Sequence, residues 1–467
     1  MSLLTKAGIK KLSELEIDVN KDWAAKEIKN LAAPAEANAA VRANAHLRAP
    51  DSTLLDGSTK AQVQDHAPQA HTLASHSTKA HAELTGVGSS DHHVRYTDGE
   101  AVAAVEAAGL ALKPQAATLI VSAADSLHPE RADYHCDGVN DHLEIQEALD
   151  ALPATGGEVL LLDGTYNIEV SLAMDSYQTL RGCGPNTVLT TSTAITGLIT
   201  AVGGSGTEKC AIVIADLRID GASTCYAGIY WDYVDNSDIR NVWAHDCNFS
   251  KGVEEWAAIQ LLNCDYDSIV GCRVFDSTLY GVQLGDSFGD VGLGGCTFVT
   301  ISDNVIVGND DQGLHLYYSN NNTITGNTVE GNGSNGIFLS VSNNNSITGN
   351  TVEGNSGHGI SLFDSSNNNT VIGSTCIANS QSADNTYDNI YLLNSDYNLV
   401  SSNICRQGSL ANQPKYGINV SNAACDHNMI EGNSLYDSGQ TGDLNDAGTN
   451  THKRDNLSKV GAWLADV

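Results

Sequence analysis

The carboxy-terminal half of the chain contains an internal repeat that decides its fold. Residues 323–332 read TITGNTVEGN and residues 346–355 read SITGNTVEGN, so this motif returns after 23 residues. A second motif, glycine followed by an apolar, a variable and an apolar residue, begins at Gly313, Gly336 and Gly359 with the same period. Because the two motifs keep a constant offset, each unit has the same internal layout.

A unit of about 23 residues has room for two or three short strands and their turns, but not for a pair of helices. Each unit exposes an apolar strand face that only its neighbour can cover, so the units must stack. Asparagine recurs at matching turns, at Asn304, Asn327 and Asn350, where its amide can bond the backbone of the next coil and where a left-handed conformation is tolerated. This pattern predicts an all-β fold, a parallel β-helix of about 10–12 coils.

A short amphipathic helix is predicted upstream of the repeats, with Asp141 as its N-cap and Glu144 as the capping-box partner. The surrounding stretch, ADYHCDGVNDHLEIQEALDALPATGGEVLLLDGTYNI (residues 132–168), resembles the opening of the pectate-lyase-like superfamily of β-helices. The resemblance implies a right-handed, single-stranded β-helix over residues 116–437 whose first coil is capped by this helix. It implies no single chemistry, because the superfamily hosts lyases, hydrolases, epimerases and inert fibres.

The amino-terminal region, residues 1–115, is rich in alanine and poor in aromatic residues. Its segments IDVNKDWAAKEIKNLAAP (17–34) and DHHVRYTDGEAVAAVEAA (91–108) resemble the start and the shaft repeats of phage tail-fibre and tailspike proteins. The resemblance implies an extended, partly helical shaft that forms a homotrimer, and a location in the virion tail or outside the cell after release. We assign residues 438–467 to a carboxy-terminal tail or cap.

The charge of the chain lies almost wholly in the predicted β-helix. The 467 residues include 24 basic and 56 acidic side chains, a formal charge of -32, and residues 116–467 alone hold 12 basic and 42 acidic ones. Such a surface repels nucleic-acid phosphates and anionic lipids. No apolar stretch approaches the roughly 18 residues of a membrane span, and the amino terminus lacks the apolar core of a signal peptide. Four shaft histidines recur every five residues: His66, His71, His76 and His81. We interpret them as exposed and assign them no metal; a transition metal bound around a three-fold axis is the alternative.

The variable positions of the second motif should point outward from the coil, because side chains alternate along a strand. They predict a first outward column: Tyr230, Gln260, Gln283, His315, Phe338, Ser361, Tyr391 and Asn419. The second column lies two residues further on: Asp232, Leu262, Gly285, Tyr317, Ser340, Phe363, Leu393 and Ser421. Aromatic rings stack on sugar faces and amides bond hydroxyls, so the columns favour a carbohydrate-binding groove over scattered exposed aromatics. The candidate substrate-binding residues are Tyr230, Asp232, Trp256, Gln260, Gln283, Tyr317 and Phe338.

Carboxylates gather at the turns that enter these strands. Neighbouring coils lie about 4.8 Å apart, so carboxylates one or two coils apart bracket the separations of retaining and inverting glycoside hydrolases. The coils that contain residues 251–256 and 286–290 are longer than 23 residues, and insertions in a solenoid mark its binding face. Chance proximity in so acidic a region is the alternative. The candidate catalytic residues are Asp310, Asp311, Glu255, Asp276 and His315.

Two fragments, Asp310-Asp311 and Gly357-His358-Gly359, resemble polygalacturonases, which share this fold. The resemblance implies that Asp310 and Asp311 act as acid and base. His358 lies two coils from Asp311 where the family has about one, and no Lys or Arg follows it before Ile404, so we assign His358 to a turn.

We therefore expect a polysaccharide-binding enzyme of tailspike type, a glycoside hydrolase that uses paired carboxylates and no cofactor. The first alternative is a polysaccharide lyase, in which the acid cluster would hold Ca²⁺ beside a uronate. The second alternative is a non-catalytic fibre or adhesin.

Overall fold

The structure is a computed structural model that describes residues 117–247, 256–285 and 294–458, together with the short strands Leu54–Leu55 and Ser58–Thr59. The chain divides into two compact units, Met1–Ala104 and Val105–Val467. In the first unit the two short strands pair antiparallel. The rest of the predicted shaft, with its histidines, lies outside the described residues. None of the helices in the described ranges is long and apolar enough to cross a membrane.

The second unit is a parallel β-solenoid built from three long sheets, here named A, B and C, of 11, 14 and 10 strands. Sheet A consists, in chain order, of Leu172–Ala173, Gly197–Val202, Ala227–Asp232, Ala257–Leu262, Tyr280–Leu284, Leu314–Tyr317, Ile337–Ser340, Ile360–Phe363, Ile390–Leu393, Tyr416–Val420 and Gly442–Asp446. Sheet B consists of Thr118–Ser122, Tyr134–His135, Gly157–Leu161, Gln178–Arg181, Val213–Ala215, Asp238–Arg240, Ser268–Val270, Thr300–Ser302, Thr323–Thr325, Ser346–Thr348, Thr370–Ile372, Leu399–Ser401, Met429–Glu431 and His452–Arg454. Sheet C consists of Gly164–Asn167, Thr187–Thr190, Arg218–Asp220, Trp243–His245, Arg273–Phe275, Val305–Val307, Thr328–Glu330, Thr351–Glu353, Thr375–Ile377 and Ile404–Arg406.

Each regular coil contributes one strand to B, one to C and one to A, as in Thr323–Thr325, Thr328–Glu330 and Ile337–Ser340. A further short parallel pair joins Lys209–Cys210 to Val234–Asp235. Sheet A has 11 strands, so the solenoid has about 11 coils, which confirms the predicted all-β parallel β-helix of about 10–12 coils.

The interior is a stack of apolar side chains in register from coil to coil. On sheet A, Val282, Leu314, Ile337, Ile360 and Ile390 follow one another in hydrogen-bonded strands, and all five are fully buried. Burying a side chain of this size contributes about 1.5–3 kcal/mol. The 23-residue period therefore works by returning an apolar residue to the same place in every coil.

Asparagine ladders fill the turns of the solenoid, as the repeat predicts. Between sheets B and C, the Asn304 backbone N–H donates to the side-chain oxygen of Asn327 at 3.0 Å, and the Asn327 N–H donates to that of Asn350 at 2.9 Å. These residues are about 1% exposed. The left-handed conformation falls one residue earlier, at Asp303 and Gly326, because the ladder asparagine must turn its side chain inward.

The predicted capping helix spans His142–Asp150 and buries Ile145, Ala148 and Leu149 against the first coils. Its N-cap, Asp141, makes no side-chain cap bond to the helix. The Asp141 carboxylate instead accepts the backbone N–H groups of Gly138 at 2.9 Å and Asn167 at 2.8 Å, so this fully buried residue ties the helix to the coil. A single-turn 3-10 helix, Pro129–Arg131, precedes it.

The solenoid continues beyond the boundary that the sequence predicted at residue 437. Gly442–Asp446 extends sheet A and His452–Arg454 extends sheet B, both in parallel pairing. The first of these strands, GDLND, holds one apolar residue, so it lacks the repeat motif that defined the earlier coils.

Candidate functional site

The first outward column lies in register on sheet A. Tyr230 pairs with Gln260, Gln260 with Gln283, and Gln283 with His315 in adjacent strands. The same alignment continues through Phe338, Ser361, Tyr391 and Asn419. In the second column, Asp232 pairs with Leu262, and Ser340 pairs with Tyr317 on one side and with Phe363 on the other. Sequence spacing thus located a continuous strip of side chains on one face of the solenoid.

Much of this strip is less exposed than the sequence indicated. Gln260, Gln283 and His315 are at most 3% exposed, although they point away from the core. The ring of Tyr280 packs edge-on against His315 with centroids 4.8 Å apart, and Phe338 lies 5.2 Å from it. Aromatic neighbours on the same face therefore cover polar side chains that alternation alone would leave in water.

Two of the covered polar side chains have no hydrogen-bond partner. Both amide atoms of Gln283 and both ring nitrogens of His315 are buried and unpaired. Burial lowers the pKa of His315 to about 3, so the ring is neutral near pH 7. Buried polar atoms normally find partners, and an orphaned pair in adjacent strands indicates a place for water or a ligand.

A second aromatic group lies at the other end of the strip. Trp256 packs against Tyr226, with centroids 5.4 Å apart, and against Tyr230 at 5.5 Å. Nearby, Asp232 accepts a hydrogen bond from the Asn263 amide at 2.8 Å. Burial raises the pKa of Asp232, with the Asn263 bond acting in the opposite direction.

The candidate carboxylates lie at turns beside sheet A, in adjacent positions along the solenoid. Asp276 and Asp310 are exposed, and Asp311 is half-buried. The backbone N–H of Asp310 donates to Ser277 O at 2.8 Å, and that of Ser334 donates to Asp311 O at 3.1 Å. Glu255 and the neighbouring insertion residues 251–254 and 286–290 lie outside the described residues, so the pairing of Asp311 with Glu255 stays a prediction.

A cavity of about 350 Å³ opens on the outer face of sheet A, one coil beyond the Asp310-Asp311 turn. Its lining residues come from the column and from the turns that precede its strands: Gly333, Ser334, Asn335, Phe338, Gly357, His358, Ser361, Phe363, Ser382, Tyr387 and Tyr391. The Ser361 hydroxyl is buried and unpaired. Of the candidate residues predicted from the sequence, Phe338 alone is among the described residues that line this cavity.

His358 forms one wall of the cavity. Its ring stacks on Tyr391, with centroids 4.0 Å apart and planes 9° apart, and meets Tyr387 edge-on at 5.1 Å. Its Nδ1 accepts the backbone N–H of Asp388 at 2.9 Å, and the Asp388 carboxylate lies 3.5 Å from the same nitrogen. Burial lowers the pKa of His358 to about 3. His358 therefore does more than occupy a turn, and sequence reasoning missed its place in the cavity.

Asp388 lies behind His358 with only 2% of its side chain exposed. Burial raises its pKa to about 7, although the Asn419 amide, 2.9 Å away, and the Tyr416 backbone N–H, 3.0 Å away, stabilise the carboxylate. A carboxyl group that titrates near neutrality next to a cavity is a feature of functional sites.

The cavity wall is made by an insertion that the sequence analysis did not single out. From Gly359 to Asn389 the motif takes 30 residues rather than 23, and from Asn389 to Gly417 it takes 28. The additional residues between Gly359 and Asn389 include Ser382 and Tyr387, which line the cavity. The signal that identifies these residues is the same departure from the period that marked the earlier insertions.

Among the described residues, two groups of side chains have the composition and spacing to hold a cation, and neither lies in sheet A. They are Cys136, Asp141 and Glu144 at the cap, and Asp220, His245 and Asp246 at sheet C, each with ligand atoms within 4.8 Å of one another. In the second group the His245 Nδ1 bonds the Asp246 carboxylate at 2.7 Å and the ring stacks on Phe275. Both groups satisfy part of their polar capacity internally.

Comparisons with known proteins agree with the fold. Residues 190–384 match the family model described as the periplasmic copper-binding protein NosD. No curated protein sequence matches the chain. The A-module of mannuronan C-5 epimerase AlgE4 from Azotobacter vinelandii is 18% identical, with a TM-score of 0.51, over 71% of this chain and 97% of that one.

Two further solved structures are similar to this chain. DFA-IIIase from Arthrobacter chlorophenolicus A6 without its lid is 13% identical, with a TM-score of 0.50, over 70% of this chain and 90% of that one. The Dettilon tailspike protein is 15% identical, with a TM-score of 0.46, over 73% of each chain. The similarity to the AlgE4 A-module and to DFA-IIIase agrees with the parallel β-helix fold of this protein.

Proposed function

We propose that this protein binds a polysaccharide along the outer face of sheet A and hydrolyses it. The observation that carries the proposal is the 350 Å³ cavity at the end of a column of aromatic and amide side chains. From Tyr230 to Tyr391 the column crosses six strand spacings of about 4.8 Å, or roughly 29 Å, which accommodates several sugar units. The partly exposed rings of Tyr230, Phe338 and Tyr391 offer stacking faces, and the polar side chains that line the cavity offer hydrogen bonds to sugar hydroxyls.

The proposed catalytic group is Asp311 or Asp310. Their turn adjoins the cavity, because Ser334, a lining residue, bonds the Asp311 carbonyl oxygen one coil further on. In the proposed reaction one carboxyl protonates the glycosidic oxygen while a second carboxylate takes a proton from the attacking water. Glu255 is the proposed second group on sequence spacing, and Asp276 is a further proposed catalytic residue between them. His315, being neutral, would contact the sugar.

The composition of the strip supports hydrolysis over elimination. Neither described column on sheet A contains Lys or Arg. Elimination from a uronate needs a cation that offsets the carboxylate and acidifies the neighbouring C–H bond, whereas hydrolysis of a neutral sugar does not. A calcium-assisted lyase is the outcome that would overturn this part of the proposal.

Location and assembly belong to the same proposal. A polysaccharide substrate places the working protein outside the cell or in a virion tail, and the likeness of residues 1–115 to tail-fibre shafts supports a homotrimer. Size-exclusion chromatography with light scattering on the full chain measures the mass directly. A monomer would contradict the trimer without affecting the proposed chemistry.

A panel of neutral and uronic polysaccharides tests the activity. The full chain is incubated with each polymer, with and without EDTA, and both new reducing ends and the ultraviolet absorbance of an elimination product are read. We expect reducing ends without that absorbance, and a loss of about 10²–10⁴-fold in Asp311→Asn and Glu255→Gln. Asp303→Asn, an exposed aspartate of the same coil, is the matched control. Unchanged rates in the first two variants would refute the catalytic assignment, and binding without any product would leave a non-catalytic fibre.

A further inference from the structure

Among the described residues, no charged side chain lines the cavity beside His358. Its eleven lining residues include no Lys, Arg, Asp or Glu. The one titratable imidazole, that of His358, is neutral near pH 7 because burial lowers its pKa to about 3. The nearest buried carboxyl, Asp388, lies behind that ring and becomes negative as pH rises through about 7. The positive charge of Lys415, which does not line the cavity, lowers the pKa of Asp388.

The polar groups of the cavity suit hydroxyl or acetamido groups. Because Nδ1 of His358 accepts a backbone N–H, the neutral ring carries its proton on Nε2, and that nitrogen is a donor. The Ser361 hydroxyl has no protein partner although the residue is 1% exposed. Phe338 and Phe363, with ring centroids 5.6 Å apart, supply apolar surface between these donors. One orphaned hydroxyl aimed at a cavity of this size indicates that a ligand completes its hydrogen bonding.

The walls of the cavity are held by hydrogen bonds between successive insertions. The Gln381 side chain donates to Asn412 O at 2.7 Å and the Asn412 side chain donates to Gln381 O at 2.5 Å. Asp384 accepts from the Gln413 backbone at 2.9 Å and from the Gln440 side chain at 2.6 Å. A cavity fixed in this way loses little conformational entropy when it is filled.

We propose that this cavity is a subsite for one uncharged sugar unit and that it excludes a uronate; the inference rests on the proposed polysaccharide-binding function. A carboxylate entering the cavity would give up water without meeting a cation, which is costly. It would also approach a domain whose net charge is strongly negative. A hydroxymethyl or acetamido group at the same position of the sugar ring avoids both the desolvation cost and the electrostatic repulsion.

Matched polymer pairs test the inference on the full chain. Each uronic polysaccharide of the panel is compared, at pH 6 and 8, with the same polymer after chemical reduction of its carboxyl groups, so that linkage and length stay constant. We expect the reduced member of a bound pair to bind at least about tenfold more tightly, a difference of about 1.4 kcal/mol. Ser382→Lys places a cation at the cavity, and we expect it to reduce the difference in affinity between the reduced polymer and the uronic polymer. Thr351→Lys, an exposed position on sheet C, should leave it unchanged.

A second variant places the effect in the cavity. Ser361→Ala removes a hydroxyl that no protein atom bonds, so we expect unchanged thermal stability and about three- to tenfold weaker binding of the reduced polymer. Equal or tighter binding of the uronic member by the wild type would overturn the inference, as would unchanged affinity in Ser361→Ala. Absence of binding to every neutral and uronic polymer would overturn the proposed function itself, which is a distinct result.

Discussion

Removing one amide from the asparagine ladder should destabilise the solenoid strongly. Asn327 is about 1% exposed and takes part in four side-chain hydrogen bonds. Its oxygen accepts from the backbone and the side chain of Asn304, both at 3.0 Å. Its nitrogen donates to Ile301 O at 2.9 Å and to the side-chain oxygen of Asn350 at 3.0 Å. Asn327→Ala removes all four bonds at once.

The loss of stability depends on which hydrogen bonds each partner of Asn327 retains in the variant. The Asn304 side chain keeps its bond to Ile269 O, and the Asn350 oxygen keeps the Asn327 backbone N–H. The Asn304 backbone N–H and the Ile301 carbonyl lose the ladder partner. The unsatisfied Asn304 N–H costs about 1–3 kcal/mol, and the Ile301 carbonyl, which stays paired within sheet B, loses a bond that contributes about 0.5–1.5 kcal/mol, so the two together cost about 1.5–4.5 kcal/mol.

Hydrogen–deuterium exchange, measured on peptides of this coil, reports the local loss of stability. A destabilisation of about 1.5–4.5 kcal/mol corresponds to a loss of protection of about 10–10³-fold. The chain itself offers a control, because Ser374 occupies the equivalent ladder position and accepts the Asn350 backbone N–H at 3.3 Å. We expect Asn327→Ser to lose less protection than Asn327→Ala, and exposed Glu330→Gln to lose none. Less than tenfold loss in Asn327→Ala would refute the view that the ladder stabilises the coils.

Three further predictions follow from burial on and beside sheet A. Burial raises the pKa of Asp267 to about 9 and leaves one of its oxygens unpaired, so the folded protein keeps a proton that the unfolded chain releases above about pH 4. Its stability should therefore fall as pH rises from about 4 to 9, and Asp267→Asn should flatten that dependence in urea titrations. His315 makes stability fall as the pH is lowered, because its imidazole is protonated below about pH 6.5 in the unfolded chain but only below about pH 3 in the folded protein. His315→Gln should therefore reduce the loss of stability on acidification. Trp256→Ala should weaken polysaccharide binding by about tenfold, while Trp243→Ala, on sheet C, should leave it unchanged.

The period of the sequence predicted the coils and the ladders because both depend on residues at fixed spacing. Gln283 and His315 were placed side by side by counting along the repeat, and the strand register agrees. Counting did not predict their burial, since that depends on how the rings of Tyr280 and Phe338 turn over them. Alternation along a strand predicts the face of the sheet to which a side chain points, but it does not predict which neighbouring side chains cover it.

The cavity was not predicted for a related reason. Tyr387 comes from an insertion whose shape is fixed by bonds to later coils, such as Gln381 to Asn412, and no local pattern reveals such bonds. His358 was assigned to a turn because its distance from Asp311 did not fit the spacing of a resembling family. In the structure, its stack on Tyr391 and its bond from Asp388 give it a place in the cavity.

The most direct test of the central claim is a crystal structure of the full chain with an oligosaccharide taken from a polymer that it binds in the panel. We expect sugar density along the outer face of sheet A, with one uncharged unit beside Ser361 and His358. Sugar bound on sheet B or sheet C, with the cavity filled only by water, would contradict it.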